Sequence, residues 1–250
     1  MAPDRATARH QPPLNDASST AGSPVKRGRT ELGVTETYKR GAAQAAALLV
    51  EDGMRVGLGT GSTVAYLLPA LAERRLRGLR CVATSLATEQ AARSLGLTVE
   101  DLDAVGELDI AIDGADQVDP RGWLVKGGGA AHTREKIVAA AAHRFVVIVS
   151  AEKSVPALGP PVPLEVLRFG VERTLAEVGD ARLRGGLESP DGNLIADYFG
   201  PVPVDPAVLA ARLSATPGVV DHGLFAPEMV SCVLIAGADG IERRSGGKLA

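Results

Sequence analysis

Between residues 36 and 150 the chain alternates between short, continuous apolar runs and longer segments whose apolar residues recur at helical spacing. The runs fall at 54–58, 79–83, 108–112 and 145–149. The segments at 36–52, 64–71, 87–95 and 134–142 place Ala, Leu and Val three and four positions apart, as helices do. Thr35 is a candidate cap for the first of them. Short apolar runs without polar alternation suit strands buried on both faces, and strands joined by helices pair in parallel through right-handed crossovers. The expected fold class is therefore α/β, a Rossmann-like, mostly parallel sheet with helices on both faces.

Pro and Gly concentrate at 156–163, and the elements beyond change character. Strands are predicted at 164–171 and 193–198 and helices at 175–178 and 206–213, the mixture of a small inserted α+β domain. The run at 231–236 reads as a buried strand returning to the main sheet. The predicted organisation is a main α/β domain over 31–157 and 229–243, the small domain over 158–228 and a C-terminal tail at 244–250. Residues 1–30 are rich in Pro, Ser, Ala and Arg without apolar periodicity, so they are expected to be a disordered, solvated tail. Its cluster Lys26-Arg27-Gly28-Arg29 would be the part to meet an anionic partner.

Composition narrows the function. Of 250 residues 45% are apolar, enough for a sizeable core, while aromatics at 3% leave few rings for stacking on bases. The formal charge of −3 gives no global pull toward nucleic acid or anionic membrane, so neither is an expected partner. Cys81 and Cys232 sit far apart in apolar runs and read as buried free thiols. Four histidines show no ligand spacing, so no metal site is expected. No apolar stretch approaches the roughly 18 residues of a membrane span, and no secretory core stands at the N-terminus; the expected location is the cytoplasm.

Three segments could carry chemistry. Gly57–Thr63, GLGTGST, joins a strand to a helix N-terminus, where small residues let backbone N–H groups face an anion beside the helix's partial positive charge. Its glycine spacing is neither the dinucleotide fingerprint nor a P-loop, so a phosphate is the expected ligand and an unliganded tight turn the bland alternative. Asp113-Gly114-Ala115-Asp116 closes another strand, where carboxylates facing the ligand crevice of a parallel sheet could handle protons on sugar hydroxyls, bind a metal or merely cap a turn and a helix. Lys126-Gly127-Gly128-Gly129 then leads into a helix with Glu135 in its first turn, where the helix dipole favours ionisation. A carboxylate beside a cation is a candidate base, although acidic residues also occupy first turns for stability alone. His132 is expected to be a surface or cavity-lining side chain.

Taken in order, GLGTGST, TSLATEQ (84–90), DGADQVD (113–119), KGGGAAHTREK (126–136), AEKSV (151–155) and PGVVDHGLF (217–225) closely resemble ribose-5-phosphate isomerase of the A type. The resemblance runs from about 35 to 242. It implies an aldose–ketose isomerase that interconverts ribose 5-phosphate and ribulose 5-phosphate through an enediolate, with no cofactor and no metal. It further implies Glu135 as the base, Asp113 as the assistant in ring opening and Lys126 as the stabiliser of the oxyanion. Substrate contacts are implied for Lys39, Thr60, Gly61, Ser62, Thr63, Asp113, Gly114, Ala115, Asp116, Lys126, Gly127, Gly128, Gly129 and Lys153. A homodimer or homotetramer is the implied assembly. Gln117 departs from the family pattern, which usually has Glu there, and Ala131-His132 stand where Ala-Leu or Leu-Leu are usual.

Two other readings compete. A sugar-phosphate-sensing regulatory domain would bind without turnover, but it should carry a DNA-binding module, and the leader is too Pro-rich and weakly periodic for one. A related deaminase or CoA transferase would be expected to use other acid–base residues.

Overall fold

The computed structural model describes residues 25–248, with side chains from Gly33 onward. Helix α1 (Val25–Ala47) leads to β1 (Arg55–Leu58), α2 (Val64–Glu73), β2 (Arg80–Ala83), α3 (Leu86–Ser94) and the single turn α4 (Leu102–Val105). Then come β3 (Leu108–Asp113), the two-residue strands β4 (Gln117–Val118) and β5 (Leu124–Val125), α5 (His132–Ala141) and β6 (Ala142–Ser150). The second part contains β7 (Val162–Val166), α6 (Val171–Val178), β8 (Ala181–Glu188), β9 (Leu194–Tyr198), α7 (Pro206–Ser214), β10 (Val219–His222) and β11 (Leu224–Phe225). Finally β12 (Cys232–Gly237) and β13 (Gly240–Ser245) close the chain.

The main sheet has six strands in the order β13-β12-β6-β3-β1-β2, all parallel except the edge strand β13. Period-two alternation divides its side chains between two cores. Val146, Ile148, Cys232 and Leu234 join one core with α1 and α2, whereas Phe145, Val147, Val233 and Ile235 join the other with Val138 and Ala139 of α5. From β1 the chain first moves out to β2 and then returns to β3 on the other side of β1. The carboxyl ends of β1 and β3 therefore diverge at a topological switch point, where open α/β sheets form their ligand crevice.

A four-stranded antiparallel sheet, β10-β7-β9-β8, carries α6 and α7, with Val162, Leu164 and Val166 packed against Val178, Leu209 and Leu213. Asp205 caps α7 by accepting from the Ala207 N–H, with Pro206 at the first helical position. Between the two bodies lies the small sheet β11-β5-β4. Its Leu224 and Val125 enter the core of the four-stranded sheet, and its Phe225 and Leu124 enter that of the main sheet. Lys126 follows directly from this junction.

Several predicted elements shift. Helix α1 starts at Val25 rather than 36, so Thr35 lies inside it and the expected tail loses residues 25–30 to helix; the rest of that tail lies outside the described residues. Before 36 the helical backbone is already formed, and Thr37 Oγ1 donates to the Gly33 carbonyl one turn back at 2.9 Å. The strand expected at 164–171 ends at Val166, because Gly170 adopts a left-handed φ of 70° and α6 begins at the next residue. The supposed tail from 244 includes the end of β13, whose exposed, charged side chains suit a sheet edge and give no apolar signal. Among the described residues no helix is long and apolar enough to cross a membrane.

Candidate active site

The GLGTGST turn leaves β1 and the Asp113 carboxylate closes β3, so the switch point sets them side by side. Asp113 Oδ1 accepts from the Thr60 N–H at 3.1 Å and from the Gly114 N–H at 2.7 Å. A Cβ on Gly59 would lie 1.9 Å from Asp113, so only glycine permits this approach. The TSLATEQ segment fastens the turn from β2 and α3. Thr60 Oγ1 lies 2.8 Å from both Thr84 Oγ1 and Ser85 Oγ, and Thr88 donates to the Gly59 carbonyl at 2.9 Å.

The KGGG loop arrives from the opposite side. Its first residue is fixed through backbone: the Lys126 N–H donates to the Gly223 carbonyl, and the Gly223 N–H to that of Pro163. The Gly128 N–H donates to Asp116 Oδ2 at 2.8 Å, and Arg184 Nη1 donates to the carbonyls of Gly127 and Gly128 at 3.0 and 3.2 Å. Gly127 has φ 111°, and a Cβ there would come within 2.7 Å of His132 and of Pro163.

These supports bring three ionisable side chains together. Lys126 Nζ lies 2.9 Å from Asp113 Oδ2 and 3.0 Å from Glu135 Oε2, and donates to the Gly114 carbonyl at 2.5 Å. Each is 3 or 4% exposed. Lys126 is the cation that faces the buried Glu135 Oε2. Burial alone would lower the Lys126 pKa, but the two carboxylates outweigh it and hold the ammonium charged. Burial raises both acids, against the pull of Lys126. Glu135 goes to about 8, with the Asp113 charge adding to burial. Two carboxylates on one ammonium leave a net negative charge in a buried place, which favours a proton on the pair and raises both acids. The helix dipole, expected to favour ionisation, is overridden.

The cavity above this cluster holds about 290 Å³ and is lined by Lys39, Thr60, Gly61, Ser62, Thr63, Gly114, Ala115, Asp116, Lys126, Gly127, Gly128, Gly129, Glu135, Glu152 and Lys153. Every predicted site residue except Asp113 is in that wall; Asp113 meets it through Lys126, whose Nζ lies 2.9 Å from Asp113 Oδ2. Glu152 was not predicted, although it adjoins Lys153 in AEKSV; its Oε1 accepts from Ser150 Oγ at 2.5 Å. A larger hollow of about 510 Å³ beside β2 is walled by Glu89, Glu100, Asp101 and Asp103 with Arg134, and holds none of these residues.

His132 departs from expectation. It is wholly buried behind Gly127, with neither ring nitrogen hydrogen-bonded among the described residues, and it does not line the cavity. Burial, with the nearby Lys136 charge, pushes its pKa down to about 3, so the ring is neutral. Gln117 has a specific partner: its amide donates to the Gly159 carbonyl at 2.9 Å and accepts from the Gly159 N–H at 2.8 Å. An ionised Glu, an acceptor only, would make half of that pair. Burial raises the thiol pKa of both cysteines, that of Cys81 to about 12.

Residues 80–240 match the family model of ribose 5-phosphate isomerase A (phosphoriboisomerase A). The chain belongs to that family. It is 46% identical over 222 residues to ribose-5-phosphate isomerase A of Caulobacter vibrioides, covering 83% of this chain and 97% of the relative. With the Roseiflexus castenholzii protein of the same name identity is 47% over 219 residues, 82% and 93% of the two chains. Two solved structures share 34% identity and cover 84% of this chain and 99% of their own. One is the ribose 5-phosphate isomerase A of Methanocaldococcus jannaschii, with a TM-score of 0.79; the other, at 0.81, is a D-ribose-5-phosphate isomerase in complex with phospho-erythronic acid. A Pyrococcus horikoshii translation initiation factor eIF-2B, 19% identical with a TM-score of 0.53, shares the fold alone.

Two outcomes test this geometry. Gly59→Ala should displace Asp113 or the loop and lower kcat/KM by about 10²-fold while the protein stays folded, measured by steady-state kinetics and circular dichroism. The raised Glu135 pKa means that folded protein keeps a proton the unfolded chain gives up above its ordinary value of 4.5. Stability therefore falls as pH rises from there to about 8. Glu135→Gln removes this loss, so its Tm advantage over the parent should grow by at least about 2 °C between pH 5 and pH 9, or about 1 kcal/mol for a chain of this size.

Proposed function

We propose that Glu135, Lys126 and Asp113 carry the proton transfer by which this chain interconverts D-ribose 5-phosphate and D-ribulose 5-phosphate. The observation that supports these roles is the buried ammonium of Lys126 within 3.0 Å of two carboxylates at the edge of a cavity walled by glycines. Glu135 takes the proton from C2 of the open aldehyde. The electron pair moves into C1–C2, the carbonyl pair moves onto O1, and the Lys126 ammonium stabilises the resulting enediolate. Glu135 returns the proton to C1 while the O2 hydroxyl proton passes to O1, which leaves the ketose. A base poised near working pH is stronger than an ordinary carboxylate, and burial supplies that strength. Asp113 holds Lys126 and exchanges protons at the sugar oxygens during ring opening.

The turn Thr60–Thr63 takes the phosphate with its N–H groups and hydroxyls at the start of α2, and Lys39 and Lys153 add positive charge to the same cavity. Gly114–Asp116 and Gly127–Gly129 enclose the sugar. Phospho-erythronic acid, the ligand named for one similar structure, is an open-chain acid phosphate whose planar carboxylate has the shape of an enediolate end. We place the enzyme in the cytoplasm as a homodimer or homotetramer, with 31–157 and 229–243 as catalytic body and 158–228 as its brace. Side chains such as Phe169, 93% exposed, and Val208, 62% exposed, offer apolar surface for a second copy.

In steady-state assays Glu135→Gln should abolish turnover, by about 10³-fold or more, with phosphosugar binding within a few fold. Lys126→Ala should act chiefly on kcat, whereas Thr63→Ala should chiefly raise KM, because phosphate contacts are the same in ground and transition states. The kcat/KM of the parent should rise with pH to a plateau above about 8. Full activity in Glu135→Gln would remove that residue from the reaction.

A further inference from the structure

The first turn of α5 is gripped from the four-stranded sheet and its loops at every residue around Glu135. Thr133 Oγ1 donates to Glu165 Oε2 at 2.5 Å, and Arg134 meets both carboxylate oxygens of Asp191 at 2.8 and 2.6 Å. Lys136 Nζ donates to Asp221 Oδ1 and to the His222 carbonyl, each at 2.6 Å. Of residues 133–136, Glu135 alone reaches Lys126.

Glu165 is the unexpected member. It is 1% exposed in β7, among the apolar Val162, Leu164 and Val166, and among the described residues it forms no ion pair. Neutral groups alone hold its side-chain oxygens: Thr133, Ser189 Oγ at 2.7 Å and Asn193 Nδ2 at 2.8 Å. A buried carboxylate without a cation is costly, and an apolar residue would serve β7 better if folding were all that mattered. What Glu165 does is tie three segments together: β7, the β8–β9 turn and the start of α5. That helix needs an outside tie, because Ala131 at its N-cap offers no side-chain bond.

We propose that Glu165 is a positioning residue for the isomerisation, holding the first turn of α5 through Thr133 and thereby fixing the depth at which Glu135 meets Lys126. This rests on Glu135 being the base. The charges that bear most on Glu135 are those of Asp113, Lys126 and Asp116, none of them on α5 or β7, and its proton affinity depends above all on burial. Loosening the tie lets Glu135 rise toward water, which lowers its pKa, weakens it as a base and misplaces it. Misplacement by about 1 Å costs on the order of 10²-fold in rate.

The test compares kcat, KM and the pH dependence of kcat/KM for Glu165→Gln, Thr133→Val, Thr133→Ser and Glu135→Gln. Glu165→Gln and Thr133→Val should each lower kcat by about tenfold or more, leave KM within about threefold and move the pH midpoint down by at least about half a unit. Thr133→Ser keeps the hydroxyl and should restore both values. A merely structural role would reduce Tm and yield but leave the midpoint in place. Should Glu165→Gln fail to fold, Thr133→Val carries the test alone. Folded Thr133→Val with parental kcat and midpoint, alongside an inactive Glu135→Gln, overturns the positioning role and spares the base. An active Glu135→Gln overturns both.

Discussion

An ammonium buried between two carboxylates is a poor arrangement for stability, since desolvating three charges costs more than their contacts return. Here it also leaves one negative charge uncompensated. The chain accommodates this by keeping a proton on Glu135 to higher pH than a carboxylate normally would. That same displacement makes the group a stronger base. The cost to folding and the capacity for proton transfer are one property of the cluster.

Everything nearby serves to hold the cluster in place. The reversal of strand order brings the ends of β1 and β3 together without closing the space above them. Gly59 lets the β1 turn touch Asp113, and Gly223 lets β11 approach closely enough to fix the backbone of Lys126. The helix bearing Glu135 packs on the main sheet through Val138 and Ala139 but is oriented from the other body by Thr133, Arg134 and Lys136. Site and brace therefore belong to different sheets, with β11-β5-β4 as the joint.

The elements that bury side chains on both faces were legible in the sequence because burial writes a continuous apolar run, as at 108–112 and 145–149. The glycine turns were legible because backbone must approach something there. The edge strand β13 carries no such pattern because it is exposed, and the strands of the joint, though β5 and β11 are buried on both sides, are too short at two residues to write a run. Chemistry was readable as residue types in motifs but not as protonation: nothing in TREK says that Glu135 is dry, nor that His132 is buried behind Gly127. Glu165 left no signal at all. A lone acid in an apolar strand acquires meaning only when Thr133, Ser189 and Asn193, distant in sequence, arrive to bind it.

The most direct measurement of the central claim is an infrared difference spectrum, parent minus Glu135→Gln, recorded without substrate from pH 5 to pH 10. A protonated-carboxyl band belonging to Glu135 should be present at pH 6 and should vanish with a midpoint near 8, replaced by carboxylate bands. Carboxylate bands already at full strength at pH 6 would show an ordinary ionised side chain and contradict the account.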